Sequence, residues 1–159
     1  MLTLYKASTE AAVATASAAA KSILGVLAPA QFGCDLRSFA VSFDGTDATK
    51  TPVLIELIQC TFATNPPGTA STTVTVRQTA GRAITAGFTA ARAWTTEPTA
   101  TTELWWEGFL TPNAGLLGRD WAPNTGLDAP VSQGFVIRAT TVAGSGTPNI
   151  RATFEFGRC

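Results

Sequence analysis

Histidine is absent from this 159-residue sequence. Histidine is the side chain that most often acts as a general base near neutral pH, so its absence removes the usual catalytic triads and acid–base pairs. The sequence also lacks a G-x-S-x-G elbow, a phosphate-binding P-loop and a dinucleotide-binding fingerprint. We therefore expect a protein that is not an enzyme and has no catalytic residues.

Charged residues are scarce, at 14% of the chain against about 25% in typical globular proteins. Lys plus Arg and Asp plus Glu number 11 each, so the formal net charge is zero. Little charged surface and no net repulsion favour a chain that buries part of its surface in an assembly. The arginines are scattered along the chain, which argues against a nucleic acid as the partner.

Cysteine occurs three times, as Cys34, Cys60 and Cys159, so at least one thiol is free or pairs between chains. Without histidine these cysteines alone make a poor zinc site, and we expect buried, unreactive thiols. The stretch DGTD (44–47) lacks the further acidic positions of a calcium-binding loop and is expected to be a plain turn. No metal and no cofactor is predicted.

Long apolar runs are also missing. The stretch AAVATASAAA (11–20) is only weakly apolar, and Lys21 interrupts it before SILGVLAP. Neither stretch approaches the roughly 18 apolar residues of a membrane span. We expect no signal peptide and no contact with a membrane.

The sequence is rich in period-two alternation, broken by Gly, Pro, Asn and Asp, which predicts many short strands in a single domain over residues 1–159. Residues 51–63 are apolar on both faces except for Glu56 and Gln59, as in a central strand that is covered on both sides. Residues 111–130 are expected to be loop-rich. The other predicted strands are 34–45 (with Arg37, Phe39, Val41 and Phe43 on one face), 71–78, 83–94, 102–110, and a final hairpin of 133–142 and 149–156.

Residues 8–24 fit two interpretations. Alanine is the best helix former, but Val13, Thr15 and Ser17 alternate with alanines as in a strand. We interpret the segment as strand, turn, strand, and residues 1–20 as either an N-terminal arm or an edge strand. Eight to ten short strands without clear helices indicate an all-β fold, an antiparallel β-sandwich, with the jelly roll as the first choice.

The segment TELWWEGFL (102–110) carries two adjacent tryptophans on a predicted strand, where side chains alternate between faces. The core face is predicted to hold Leu104, Trp106, Gly108 and Leu110, and the outer face Glu103, Trp105, Glu107 and Phe109. The two glutamates lie ~13 Å apart along an extended strand, beyond the ~5–9.5 Å of a glycosidase pair, so we interpret them as solvated carboxylates.

Aromatic side chains mixed with carboxylates are typical of a surface that becomes covered when a partner binds. We therefore predict a protein interface, formed by Trp105, Phe109, Glu103, Glu107 and Trp121. The alternative is that residues 111–130 of the same chain cover Trp105 and Phe109. A sugar-binding platform is a third interpretation of the same aromatics.

Four stretches, LYKA (4–7), VSFDGTDATKTPVLIELI (41–58), GFTAARAWTTEPTA (87–100) and NIRATFEF (149–156), resemble small structural proteins of tailed bacteriophages, especially those of high-GC actinobacterial hosts. The resemblance implies a jelly-roll or TNF-like sandwich without catalytic residues, made in the host cytoplasm and located in the virion. It implies a capsid decoration (cement) protein that binds the outer capsid surface as a homotrimer and stabilises the shell. Its partners would be itself and the major capsid protein.

The terminal Gly-Arg-Cys departs from the pattern of that family. The alternative function is that of a phage tail or fibre component, which would bind a host glycan through an exposed aromatic platform at Trp105 or Trp121.

Overall fold

The structure, a computed structural model, describes residues 3–45, 51–113, 115–122 and 125–159. These residues form strands and no helix, which confirms the predicted all-β class. The strands are β1 (Leu4–Ser8), β2 (Val13–Ala14), β3 (Ala20–Leu27), β4 (Cys34–Phe43), β5 (Val53–Cys60), β6 (Thr72–Val74), β7 (Arg77–Ala80), β8 (Thr89–Arg92), β9 (Ala100–Leu110), β10 (Leu116–Asp120), β11 (Leu127–Ala129), β12 (Gly134–Thr140) and β13 (Asn149–Arg158).

Two antiparallel sheets pack face to face as a β-sandwich. Sheet 1 has the order β10-β4-β13-β1-β7, with β11 also on β4 and β2 also on β13. Sheet 2 has the order β6-β8-β3-β12-β5-β9. The neighbours β1-β13-β4-β10 and β3-β12-β5-β9 follow the strand order of a jelly roll, in which the chain crosses repeatedly between the two sheets.

The main core lies between the sheets and is rich in aromatic rings. The alternating residues Ile150, Ala152, Phe154 and Phe156 of β13 are all buried, as their period-two pattern predicts. The Phe135 ring lies edge to face against Phe154, with the centroids 4.7 Å apart. Such edge-to-face pairs contribute about 0.5–1.5 kcal/mol beyond the burial of their area.

A second apolar cluster covers part of the outer face of sheet 2. The segment between β5 and β9 folds back over this face and places Trp94 and Phe62 against Cys60. Trp94 is fully buried, and its Nε1–H donates to the carbonyl oxygen of Asn65 at 2.9 Å. Gly25 leaves the necessary space, since a Cβ there would lie 2.9 Å from Cη2 of Trp94. The predicted cover on both faces of β5 is therefore confirmed only at its end, where Ile58 and Cys60 are buried, whereas Leu54 and Glu56 on the same outer face are half-buried.

The face assignment in β4 is wrong at Arg37. A register shift against β13 leaves Arg37 without a partner residue, because Ser38 pairs with Glu155 and Leu36 with Phe156. This β-bulge brings both Leu36 and Phe39 into the core. Arg37 is buried apart from the core cluster and forms an ion pair with Asp35 at 2.5 Å.

The predicted final hairpin is also wrong, although both of its strands exist. Strand β12 pairs with β3 and β5 in sheet 2, whereas β13 pairs with β1, β2 and β4 in sheet 1. The connection after β12 therefore crosses between the sheets. Alternation identifies each strand but carries no information about which strand lies beside it.

The remaining predictions about secondary structure are confirmed in part. Residues 8–24 form strands joined by turns, and residues 3–20 contribute β1 and β2 to sheet 1. Only Thr89–Arg92 of the predicted strand 83–94 is extended in a sheet. The segment 111–130 contains β10 and β11, both paired with β4, and is less loop-rich than predicted. The DGTD turn lies partly outside the described residues, which include Asp44 and Gly45.

Candidate interaction surface

Strand β9 is an edge strand of 11 residues. Within the described part of the chain it pairs with β5 alone. A long edge presents unpaired backbone N–H and C=O groups along one side, which makes it a template for another chain. The predicted interface residues Glu103, Trp105, Glu107 and Phe109 all lie on this strand.

A β-bulge at Trp105 breaks the alternation on which the predicted faces depend. Trp106 pairs with Leu57 and Leu104 pairs with Ile58, so Trp105 is the extra residue. Both tryptophans pack against the main core: the Trp105 ring lies 6.2 Å from that of Phe135, and Trp106 packs on Phe39. The prediction that Trp105 points outward is therefore wrong.

Gly108 makes room for this arrangement on the core side of β9. A Cβ at Gly108 would lie 2.6 Å from Cη2 of Trp106, closer than side-chain atoms pack. Trp106, Gly108 and the partly buried Leu110 are on the core face, as predicted. Leu104 is not, because it pairs with Ile58 and is 43% exposed.

The outer face of β9 continues across β5 and β12 in three rows of directly paired residues. The rows are Phe109–Leu54–Thr140, Glu107–Glu56–Arg138 and Leu104–Ile58–Val136. Phe109 is the most exposed aromatic here, at 72%. We call Leu104, Glu107 and Phe109, together with the exposed Glu103, the β9 surface.

The middle row is acidic. Arg138 binds Glu56 through two hydrogen bonds, Nε to Oε2 at 2.9 Å and Nη2 to Oε1 at 3.2 Å. Glu107 lies directly across from Glu56 and forms no ion pair with the described residues. Two carboxylates thus lie in the same row as a single guanidinium. The β9 surface combines apolar side chains with excess negative charge.

Trp121, directly after β10, packs at the side of the sandwich where the edge strands β9 and β10 lie. Its ring lies 5.9 Å from Phe39, which in turn lies 5.3 Å from Trp106. The guanidinium of Arg119 lies 5.7 Å from the Trp121 ring centroid. Trp105 and Trp121 are both half-buried. Of the five predicted interface residues, the structure brings Glu103, Glu107 and Phe109 to the surface.

The three thiols have different environments. Cys34 and Cys60 are buried, as predicted, whereas Cys159 is exposed. Burial raises the pKa of Cys60 to about 11, and burial raises the pKa of Cys34 well above its ordinary value. Partial burial, with the carboxylates of Asp128 and Asp35, raises the pKa of Cys159. All three thiols are therefore weak nucleophiles near neutral pH.

The residues that the structure describes contain no cluster of three or more His, Cys, Asp or Glu side chains arranged to hold a metal ion. They also contain no helix with the length and hydropathy of a membrane span. Comparison with protein-family models, curated proteins and solved structures finds no match to this chain.

Proposed function

We propose that this chain is a non-enzymatic structural protein of a virion, a capsid decoration protein that binds the outer capsid surface as a homotrimer. The β9 surface carries the proposal. Phe109 is 72% exposed on a long edge strand, near Glu107, whose carboxylate forms no ion pair within the described part of the chain. An exposed aromatic with a polar rim is typical of the centre of an interface, and monomeric proteins seldom leave such a strand edge uncovered.

A sandwich of this kind stabilises a shell by its position. A protein that binds the assembled lattice and not the separated subunits lowers the free energy of the lattice by linkage. Three copies in one trimer multiply weak contacts, because binding of the first copy raises the effective concentration of the others. The low charge density of the chain suits a protein with several buried contact surfaces.

The glycan-binding alternative needs an exposed aromatic ring. Trp105 and Trp121, the two predicted platforms, each pack one side against core phenylalanines. Phe109 is the exposed ring of the β9 surface, and it is flanked by carboxylates. These placements favour a protein partner over a sugar.

The test is the composition of purified phage particles. We expect this chain in a fixed stoichiometry with the major capsid protein, and particles that lack it should lose their genome at lower temperature. Phe109→Ala should lower its occupancy on the capsid, whereas Val142→Ala, at a residue that is 58% exposed outside the β9 surface, should not. Absence from particles, or presence in only a few copies, would overturn the proposal.

A further inference from the structure

Between residues 71 and 118, the charged residues are separated by sign along the sequence. Residues 71–92 contain three arginines and no acidic residue, and residues 93–118 contain three glutamates and no basic residue. The first segment includes β7, an edge strand of sheet 1 that pairs only with β1 among the described strands. The second includes β9, an edge strand of sheet 2.

The two edge strands lie on opposite sides of the sandwich. On one side the ring of Trp106 in β9 packs on Phe39 of β4, next to β10. On the other side Tyr5 of β1, next to β7, packs on Phe88 with the ring centroids 5.5 Å apart.

Strand β9 carries two glutamates and no basic residue, and β7 carries Arg77 and no acidic residue, so the two opposite edge strands differ in the sign of their charge. Beside β7, Glu155 of β13 accepts a hydrogen bond from Oγ1 of Thr79, and on the β9 side Arg119 lies against Trp121.

The edge at β7 carries two exposed arginines. Arg77 begins β7, and Arg82 lies in the loop that follows this strand. Neither arginine forms an ion pair with any described carboxylate. Ile84, also in this loop, is 42% exposed. We call Arg77, Arg82 and Ile84 the β7 surface.

An apolar groove opens on the same side of the molecule. It has a volume of about 410 Å³, and it is lined mainly by Val74, Val76, Ala86, Phe88 and Ala90, with Thr73, Thr85 and Thr89 among them. The groove is adjacent in sequence to both arginines of the β7 surface. The opposite edge presents Phe109, whose ring is 72% exposed. The molecule thus carries an exposed aromatic side chain on one edge and an open apolar groove on the other.

We infer that the partner of the β9 surface is the β7 surface of a second copy of this chain, in a head-to-tail contact. Glu103 and Glu107 of one copy then face Arg77 and Arg82 of the next, and Phe109 enters the apolar groove. A contact between two different surfaces of one chain is heterologous, and it closes into a ring when the rotation per subunit divides a full turn. The inference deepens the proposed function, since it rests on the homotrimer included there.

A two-fold contact between two copies of β9 is disfavoured by the same charges. An antiparallel pair of two β9 strands would bring four glutamates, Glu103 and Glu107 of each copy, to one seam with no basic residue of β9 between them. Like charges directly opposite each other on paired strands are destabilising. The acidic residues of β9 therefore act against self-pairing of this edge and favour a basic partner.

Charge reversal on each edge tests the contact. The first variant carries Glu103→Lys and Glu107→Lys, and the second carries Arg77→Glu and Arg82→Glu. We expect the wild-type chain to sediment as a trimer in analytical ultracentrifugation, and each variant alone to associate at least about a hundredfold more weakly. The variant with all four reversals should regain the trimer, because both edges have changed sign.

A mixture of the two double variants gives the sharpest result. Each double variant can contact only the other, so the two chains must alternate. Three subunits cannot alternate around a closed ring, so the mixture should form mixed assemblies, chiefly of equal numbers of both chains, and no closed trimer. Arg151→Glu, on the outer face of the central strand β13, is the matched control and should leave the trimer intact.

Three outcomes would overturn the inference: a monomeric wild-type chain, a trimer that persists in both double variants, or failure of the fourfold variant to recover although its circular dichroism matches wild type. None of these measurements uses the capsid. A trimer that behaves as expected but is absent from particles would refute the decoration function and leave the head-to-tail contact standing. A chain that is stoichiometric in particles, but whose self-association does not respond to the charge reversals, would refute the head-to-tail contact and leave the decoration function standing.

Discussion

Replacing Trp105 with alanine tests the β-bulge in β9. Removing a fully buried tryptophan costs about 3–5 kcal/mol of folding free energy. Trp105 is only half-buried, but it also loses its aromatic contact with Phe135, where the ring centroids are 6.2 Å apart. We therefore expect the free energy of unfolding to fall by about 2–4 kcal/mol. With a urea m-value near 2 kcal/mol/M, the midpoint of unfolding should drop by about 1–2 M.

Phe109→Ala on the same strand is the matched control for stability. Its ring is 72% exposed, so the free energy of unfolding should change by no more than about 0.5 kcal/mol. Both variants are compared in urea by far-UV circular dichroism, at protein concentrations too low for self-association. Self-association should be weakened more by Phe109→Ala than by Trp105→Ala, because Phe109 lies at the inferred contact and Trp105 lies beneath it.

The reasoning about the bulge fails if Trp105→Ala loses less than about 1 kcal/mol, because the indole would then be outside the core. It also fails if the two variants lose equal stability. A drop in the m-value without a shift in the midpoint would instead indicate a change in the unfolded state, and would contradict the predicted loss of packing.

The second apolar cluster and the thiols give three more predictions. Trp94→Ala should cost about 4 kcal/mol in urea unfolding, because it removes a fully buried indole and leaves the carbonyl of Asn65 without its donor, whereas Trp94→Phe should cost less. Ellman's reagent should titrate one thiol in the native protein, the exposed Cys159, and three in urea; three in the native state would contradict the burial of Cys34 and Cys60. The pKa of Cys60 is raised to about 11 in the folded state, so its contribution to stability is complete below pH 9 and is lost as the pH rises to about 11, by up to about 2–3 kcal/mol. Unfolding measured at pH 8 and pH 11 should therefore show a smaller loss in Cys60→Ala than in wild type, and equal losses would refute the assignment.

Alternation in the sequence is sufficient to predict the strands and the class of fold. The pattern of Phe154 and Phe156 is set by the chain's own geometry, so these residues face inward wherever β13 pairs. Alternation does not predict which strand a given strand pairs with, because pairing depends on contacts between distant segments. The same local pattern in β12 and β13 is compatible with a hairpin and with two separate sheets, and only the packing of the whole core decides between them.

At the β9 surface, too, the local sequence pattern predicts most faces correctly and fails where strand pairing decides, at one residue. Exposure of Glu107 and Phe109 follows from alternation back from Leu110. Alternation counted back along the strand assigns the wrong face to Trp105, because a β-bulge places an extra residue there. The position of the bulge is fixed by the register of β9 against β5, and nothing in TELWWEGFL itself indicates it. The glycine at position 108 is the nearest such signal, because it provides the space that Trp106 occupies.

The separation of acidic and basic residues, in contrast, can be read from their order in the sequence, although the overall composition does not show it. A net charge of zero describes both a molecule with mixed charges and one with an acidic edge and a basic edge. Only the second kind presents unlike surfaces to its own copies. An open head-to-tail chain would leave one edge strand exposed at each end and keep adding subunits, whereas a closed ring covers every β7 and β9 edge at once. Closure of the inferred ring would cover the β7 and β9 edges and leave the β6 and β10 edges and the outer face of sheet 1 free for a second partner. The proposed decoration function needs both, contacts between copies and a free surface for the capsid.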